Sequence, residues 1–388
     1  MEQNRKIKNE QLTSILCNVL LIVNLLMLLS LAFEKESLER FCSYAIIILS
    51  FSLYLYSFTI FDIFKIEDFI FALILVYFFV LYLNKQWQYK DIVSALVFLS
   101  MLTVWRVTQA CVCTEKIKKS IENFYLLQGF ILIGISFSSV AYKSYQEYVT
   151  VSNELTLGFS NPNQTGIILF STIAILTIVL IYEKKQIKRV ITIIVIAALV
   201  YLLFLTKART SILMLAVLAY ALLSKKVAKK HIVLSDFVII SPIIFVYVYM
   251  GLADTQLSNL EILGKKLFSG RQRVFREALD SFTDKFFGNL TYFNFENSHN
   301  ALLTILVNIG VIGLVLYLVF TIFSFNRFYN NCKGKNQIVV SLIILAFFIM
   351  GYAETAVLTG GTIYFNSMFF ILLLGNAIDD EKSIEEVK

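Results

Sequence analysis

Apolar runs of membrane-spanning length recur along this chain and decide what it can fold into. Twelve stretches are low in charge between more polar flanks: residues 12–33, 41–64, 67–83, 92–113, 121–142, 164–182, 190–206, 209–224, 232–252, 301–325, 338–353 and 360–377. A bilayer core about 30 Å thick takes about 17–25 such residues as a helix. Backbone groups in lipid must be satisfied within their own segment, so each run is expected to be helical. Of the 388 residues, 58% are hydrophobic and 16% charged, with mean hydropathy +0.75, more apolar surface than a water-soluble domain can bury. The expected fold class is therefore all-α: a polytopic integral membrane protein of about twelve transmembrane helices, one membrane domain over 1–388. The first run is too long for a signal-peptide core and no A-x-A site follows it, so it reads as a retained span.

Lysine and arginine set the expected orientation. With the N-terminus inside, 20 of the 34 fall on the inner side and 13 outside; Arg106 lies within a span. The positive-inside rule then puts both termini in the cytoplasm of a cell that carries this protein in its plasma (inner) membrane. The largest loop, 253–300, becomes extracellular, and 379–388 becomes an acidic cytoplasmic tail. That loop is basic, with Lys265, Lys266, Arg271, Arg273, Arg276 and Lys285, although long loops are exempt from the rule. The net charge of +7 is mostly topogenic, and no nucleic-acid-binding motif is visible. The five cysteines show neither a disulfide framework nor zinc spacing and read as free thiols; no metal or cofactor is expected.

Four polar pieces stand out on the predicted outer side. Asn161-Pro162-Asn163 opens span six; Asn suits an N-cap and Pro the first helical position, and N–H groups at such a start also suit an anionic ligand. Lys207-Ala208-Arg209-Thr210-Ser211 joins two short spans, where Arg209 either snorkels or sits in a protein-lined recess. In 271–284, a helix would align Val274, Phe275, Ala278, Leu279 and Phe282 on one face, with Arg273, Arg276, Glu277 and Asp280 on the other. Ser269 and Gly270 would cap it, leaving Arg271 beside free N–H groups, a phosphate-binding arrangement; the plain alternative is an amphipathic helix facing lipid phosphates. His299 is one of only two histidines and is expected in the first turn of span ten, capped by Asn297 or Ser298. The helix N-terminus would keep its imidazole neutral, as a general base requires; the alternative is an interfacial histidine. Glu354, at the outer end of span eleven, reaches the same compartment. Arg106, about seven residues from the inner end of span four, is expected to snorkel.

Read in order, these pieces resemble the O-antigen ligase and Wzy-type polysaccharide polymerase superfamily. The resemblance covers about 158–377 and rests on the NPN helix start, the turn bearing Arg209, the Gly270-Arg271 pair in a large late loop, and His299-Asn300 followed by Gly310 and Gly313. The chain lacks the ligases' second external histidine, and Val274 stands close to where many relatives carry an aromatic. The resemblance implies a GT-C-like membrane fold. It also implies an inverting, metal-independent glycosyltransferase that joins undecaprenyl-diphosphate-linked repeat units at the outer face. His299 would serve the acceptor hydroxyl. Arg209 and Arg271 would hold the donor diphosphate, helped by Arg273, Arg276, Asn161 and Asn163, with Asn300 and Glu354 in support. The implied partners are the lipid-linked donor and acceptor glycans, membrane lipids, a chain-length regulator and a flippase. The alternatives are ligase-type transfer to another acceptor and a lipid-linked oligosaccharide flippase.

Overall fold

The computed structural model describes residues 2–32, 36–60, 65–85, 87–138, 154–159, 161–223, 234–262, 265–266, 270–289, 299–331, 337–352, 354 and 362–376. Asn297, Ser298, Cys332, the tail 379–388 and parts of the loop 253–300 lie outside them. Among the described residues are thirteen α-helices: α1 Glu2–Ala32, α2 Glu36–Ile60, α3 Ile66–Lys85, α4 Tyr89–Ala110, α5 Glu115–Ser136, α6 Pro162–Tyr182, α7 Gln186–Leu205, α8 Arg209–Leu223, α9 Ser235–Ala253, α10 Arg271–Asp280, α11 Ala301–Asn331, α12 Gln337–Met350 and α13 Thr362–Asn376. A 3-10 turn, Gln256–Asn259, and a two-residue antiparallel ladder of Glu261–Ile262 with Lys265–Lys266 follow α9. Eight helices (α1–α4, α6, α7, α9 and α11) are long and apolar enough to cross a membrane, and α8, α12 and α13 are shorter apolar helices. This is the build of a multi-pass membrane protein. Helix α5 begins six residues before the expected span and ends at Ser136, because Thr114 caps it by accepting from the Ile117 N–H.

Three helices form the centre. In α6, nearly every residue from Thr165 to Val179 is buried, the mark of a helix enclosed all round. Helices α12 and α13, about 21–23 Å long at 1.5 Å per residue, fall short of a bilayer core. Both are almost wholly buried, α12 against α8 and α9, α13 against α4, α6 and α1.

Span ten is not one continuous helix. Gly310 sits at φ 69°, ψ −176° and splits α11 into a short arm, 301–309, and a long one. A break frees backbone groups that lipid cannot satisfy. Here the segment 284–289 supplies them: Val311 N–H donates to the Lys285 carbonyl (3.0 Å), and Asn289 N–H to that of Val307 (2.9 Å). From α3, the Tyr77 hydroxyl donates to the Ile309 carbonyl at 2.6 Å. Gly288 (φ 80°) and Gly310 lie backbone against backbone, so a methyl group on either would overlap the other strand of this contact.

Arg106 corrects the snorkelling expectation. It is 5% exposed and turned into the bundle, with Nε 3.4 Å from Asp68 Oδ1 and its guanidinium 5.3 Å from the Phe58 ring centroid. Asp68 also accepts from the Lys65 N–H at 3.0 Å, capping α3. The partner that makes burial tolerable is 38 positions away in sequence, which the local pattern did not reveal.

Candidate functional site

The beginnings of α6, α8, α10 and α11 converge around the end of α12. Asn161 caps α6, its side chain accepting from the Asn163 N–H at 2.9 Å, with Pro162 at the first helical position. That N–H is therefore occupied, and it is the Asn163 side chain that turns to the site, hydrogen-bonding Glu354. Asn161 itself is exposed.

Arg209 is the first residue of α8. The turn before it is tight: Lys207 has φ 52°, its N–H donates to the Phe204 carbonyl at 3.1 Å, and Ala208 N–H donates to Thr206 Oγ1 at 3.1 Å. Gly166 of α6 lies beneath this turn; a Cβ there would stand 2.7 Å from both Ala208 Cβ and Ser211 Oγ. Arg209 is half-buried in this recess, within the electrostatic reach of Arg271, Tyr249 and Glu154.

Arg271 opens α10 after Gly270, whose φ of 79° reverses the chain. The amphipathic reading of this segment describes the helix, which is shorter than 271–284. Phe275 is fully buried against Tyr249, ring centroids 5.3 Å apart. Arg271 lies toward that buried side, its side chain 20% exposed, with Nη2 3.5 Å from Glu354 Oε1. Among the described residues, no contact brings Arg273 or Arg276 to this cluster. Arg273 is 83% exposed and pairs with Glu277 one turn on (3.2 Å), while Arg276 pairs with Asp254 at the end of α9.

His299 precedes the helix instead of standing in its first turn. Asn300 is the cap: its Oδ1 accepts from the Leu303 N–H at 3.0 Å, and its Nδ2 donates to the carbonyls of Pro242 (2.9 Å) and Tyr352 (3.3 Å). This fully buried amide ties the short arm of α11 to α9 and to the segment leading to Glu354. His299 itself is held at φ 49°, a left-handed conformation uncommon outside glycine. Burial first, then the positive charge of Arg271, pushes its pKa below the ordinary 6.5. The causes of this shift are burial and Arg271, and His299 does not stand in the first turn of the helix where the sequence reading put it. Burial raises the Glu354 carboxyl above its usual range, opposed by Arg271 and by the Asn163 hydrogen bond.

Sequence reasoning passed over three neighbours. Glu154 lies in a buried segment, 154–159, that is pinned by a Leu155 N–H bond to the Leu205 carbonyl (3.2 Å) and a Thr165 hydroxyl bond to the Thr156 carbonyl (2.6 Å). That segment carries Leu157 at φ 50°. Its only signal was a lone acid just ahead of the Asn-Pro-Asn start. Tyr249 shares the field of Arg209 from α9, with no signal in the sequence. Gln272, the next residue in sequence after Arg271, has a buried Oε1 without a hydrogen-bond partner among the described residues. Chemically, two guanidiniums and a neutral imidazole make a place for an oxyanion beside a hydroxyl group. No protein-family model, curated protein or solved structure matches this chain.

Proposed function

We propose that this protein is a polysaccharide polymerase that joins lipid-diphosphate-linked oligosaccharide repeat units at the outer face of a plasma membrane. One observation carries the reading: Arg271 lies within electrostatic reach of both Arg209 and His299, three residues from separate helix starts. Like charges repel, and a fold that holds two guanidiniums in one recess suits an anion carrying more than one charge. The donor diphosphate takes that position. His299 accepts the proton of the attacking sugar hydroxyl, worth typically about 10²–10⁴-fold in rate. The new bond forms between that oxygen and the anomeric carbon as the carbon–oxygen bond to the diphosphate breaks, with inversion. The departing diphosphate carries its charge away in the field of Arg209 and Arg271. The lysine and arginine distribution supports cytoplasmic termini, and with α5 and the three short helices counted the proposed arrangement is twelve spans, GT-C-like.

The test is polymerisation by purified protein from synthetic lipid-linked repeat units with EDTA present. Long lipid-linked chains are expected, and His299→Ala and Arg271→Ala should each abolish them while the protein still purifies as a folded species. Polymer made by both variants would remove the site; a strict metal requirement would remove the mechanism. Transfer of the lipid-linked glycan to a different acceptor, with no elongation, would make it a ligase. The break at Gly310 favours one further reading, a lipid-linked oligosaccharide flippase, because interrupted helices line transport sites. Translocation of a labelled donor across proteoliposomes without elongation would establish that reading instead.

A further inference from the structure

A built cavity lies far from the His299 cluster. Helix α6 begins beside Glu354 and ends at Tyr182, about 30 Å away at 1.5 Å per residue. At that far end, α5, α6, the α6–α7 turn and α13 enclose a cavity of about 380 Å³. Its floor is apolar, formed by Val179, Tyr182 and Leu374. Its walls carry Lys118, Lys119, Lys184 and Lys185 against Glu115, Glu122 and Glu183.

The charges are not evenly matched. Lys118 is spoken for, bonded to Glu115 at 2.9 Å with its ammonium 5.1 Å from the Tyr182 ring centroid. Lys188 approaches Glu122 (3.1 Å) and Glu183 (3.9 Å). Lys119, Lys184 and Lys185 remain exposed around the cavity, with no acid paired to them among the described residues. Glu122 is 4% exposed, and its Oε1 has no hydrogen-bond donor among the described residues, with the Glu183 carboxyl beside it. A buried carboxylate oxygen left unmet costs free energy that a ligand hydroxyl recovers.

We propose that this cavity binds a phosphodiester bearing free hydroxyls, the headgroup chemistry of a glycerol-phosphate lipid. The three lysines take the phosphate, Glu122 Oε1 accepts from a hydroxyl, and the Val179–Leu374 floor receives the first apolar atoms behind the phosphate. Topogenic lysines alone explain positive charge at a membrane surface. They do not explain a concave site with a buried, unmet acceptor.

The whole protein in detergent, examined by native mass spectrometry, tests this with three probe lipids: phosphatidylglycerol, phosphatidylmethanol (anionic, no hydroxyl) and phosphatidylcholine. Phosphatidylglycerol should be retained at least about fivefold over phosphatidylmethanol, and phosphatidylcholine least. Combined Lys119→Ala, Lys184→Ala and Lys185→Ala substitution, at exposed positions that leave the bundle intact, should cut retention of both anionic lipids about tenfold. Glu122→Gln should narrow the preference for phosphatidylglycerol over phosphatidylmethanol while leaving lysine-dependent retention. A parallel arm adds millimolar sn-glycero-3-phosphoglycerol, a soluble glycerol phosphate diester with free hydroxyls. Its binding in place of the lipid, lost in the lysine variant, would assign the site to a soluble polyol phosphate of the same chemistry. Equal retention of all three lipids by wild type and lysine variant, with no glycerol phosphate diester bound, overturns the proposal.

Discussion

His299 is set apart by its backbone as much as by its ring. Its φ is left-handed just ahead of the helix that Asn300 caps, and its imidazole lies within the electrostatic reach of Arg271. Because burial and Arg271 lower its pKa in the folded state, the unfolded chain takes up the proton first. Stability from this group is therefore full above the ordinary 6.5 and declines as pH falls through that value toward the lower folded pKa. With only two histidines present, imidazole NMR in a His231→Gln background isolates the signal. The expected titration lies below 6.5 and moves up toward it in Arg271→Gln; a midpoint unchanged by that substitution would separate the two residues. Asn300→Ala removes a cap worth about 1 kcal/mol and leaves the Pro242 and Tyr352 carbonyls without their donor, for a further ~1–3 kcal/mol, measurable by thermal unfolding in detergent. Arg106 tests burial differently. Arg106→Leu strands Asp68 in the interior and should cost about 3–5 kcal/mol, and adding Asp68→Asn should recover part of the loss.

At the scale of elements, the consequential contacts are close approaches allowed by glycine. Gly310→Ala and Gly288→Ala each set a methyl group against backbone and impose a left-handed conformation on a residue that resists it. Both should reduce folded yield, whereas Tyr77→Phe, which removes the hydroxyl shared by the Ile309 and Phe286 carbonyls, should cost about 1–3 kcal/mol. Gly166 behaves in another way. A methyl group there displaces the turn carrying Ala208 and so shifts Arg209. Gly166→Ala is expected to lower turnover at least about tenfold with little change in melting temperature, since misplacement of about 1 Å at a site costs on that order. Loss of folded protein instead would make Gly166 purely a packing residue. The helices themselves were legible because hydropathy and caps are local signals: Asn161-Pro162 begins α6 where its chemistry requires. The interruption of α11 was not, because Gly310 reads as an ordinary membrane-helix glycine until the segment 284–289 is seen against it.

Across the whole molecule, one bundle carries polar recesses at its two ends, joined by α6 and α7. The order of the motifs along the sequence anticipated that Arg209, Arg271 and Glu354 share an end. It did not anticipate which arginines of the basic loop turn inward. Arg273 and Arg276 differ from Arg271 only by their angle around α10, and that angle is set by Phe275 docking on α9. Glu154 was hidden for the opposite reason: its segment has no periodicity, and only the folded chain wedges it between α6 and the α7–α8 turn. The orientation proposed from lysine counts is checked by reporter fusions. Fusions at both termini should be read in the cytoplasm, and a cysteine placed beside Lys184 should label only from the inside.

Lys207 holds the same left-handed conformation as His299 but presents a half-exposed side chain on a surface turn. Glycine would relax that peptide by about 1 kcal/mol. Laboratory evolution for heat resistance, with activity retained by selection, should therefore accumulate Lys207→Gly and leave position 299 untouched, trading thermal robustness only where chemistry does not object.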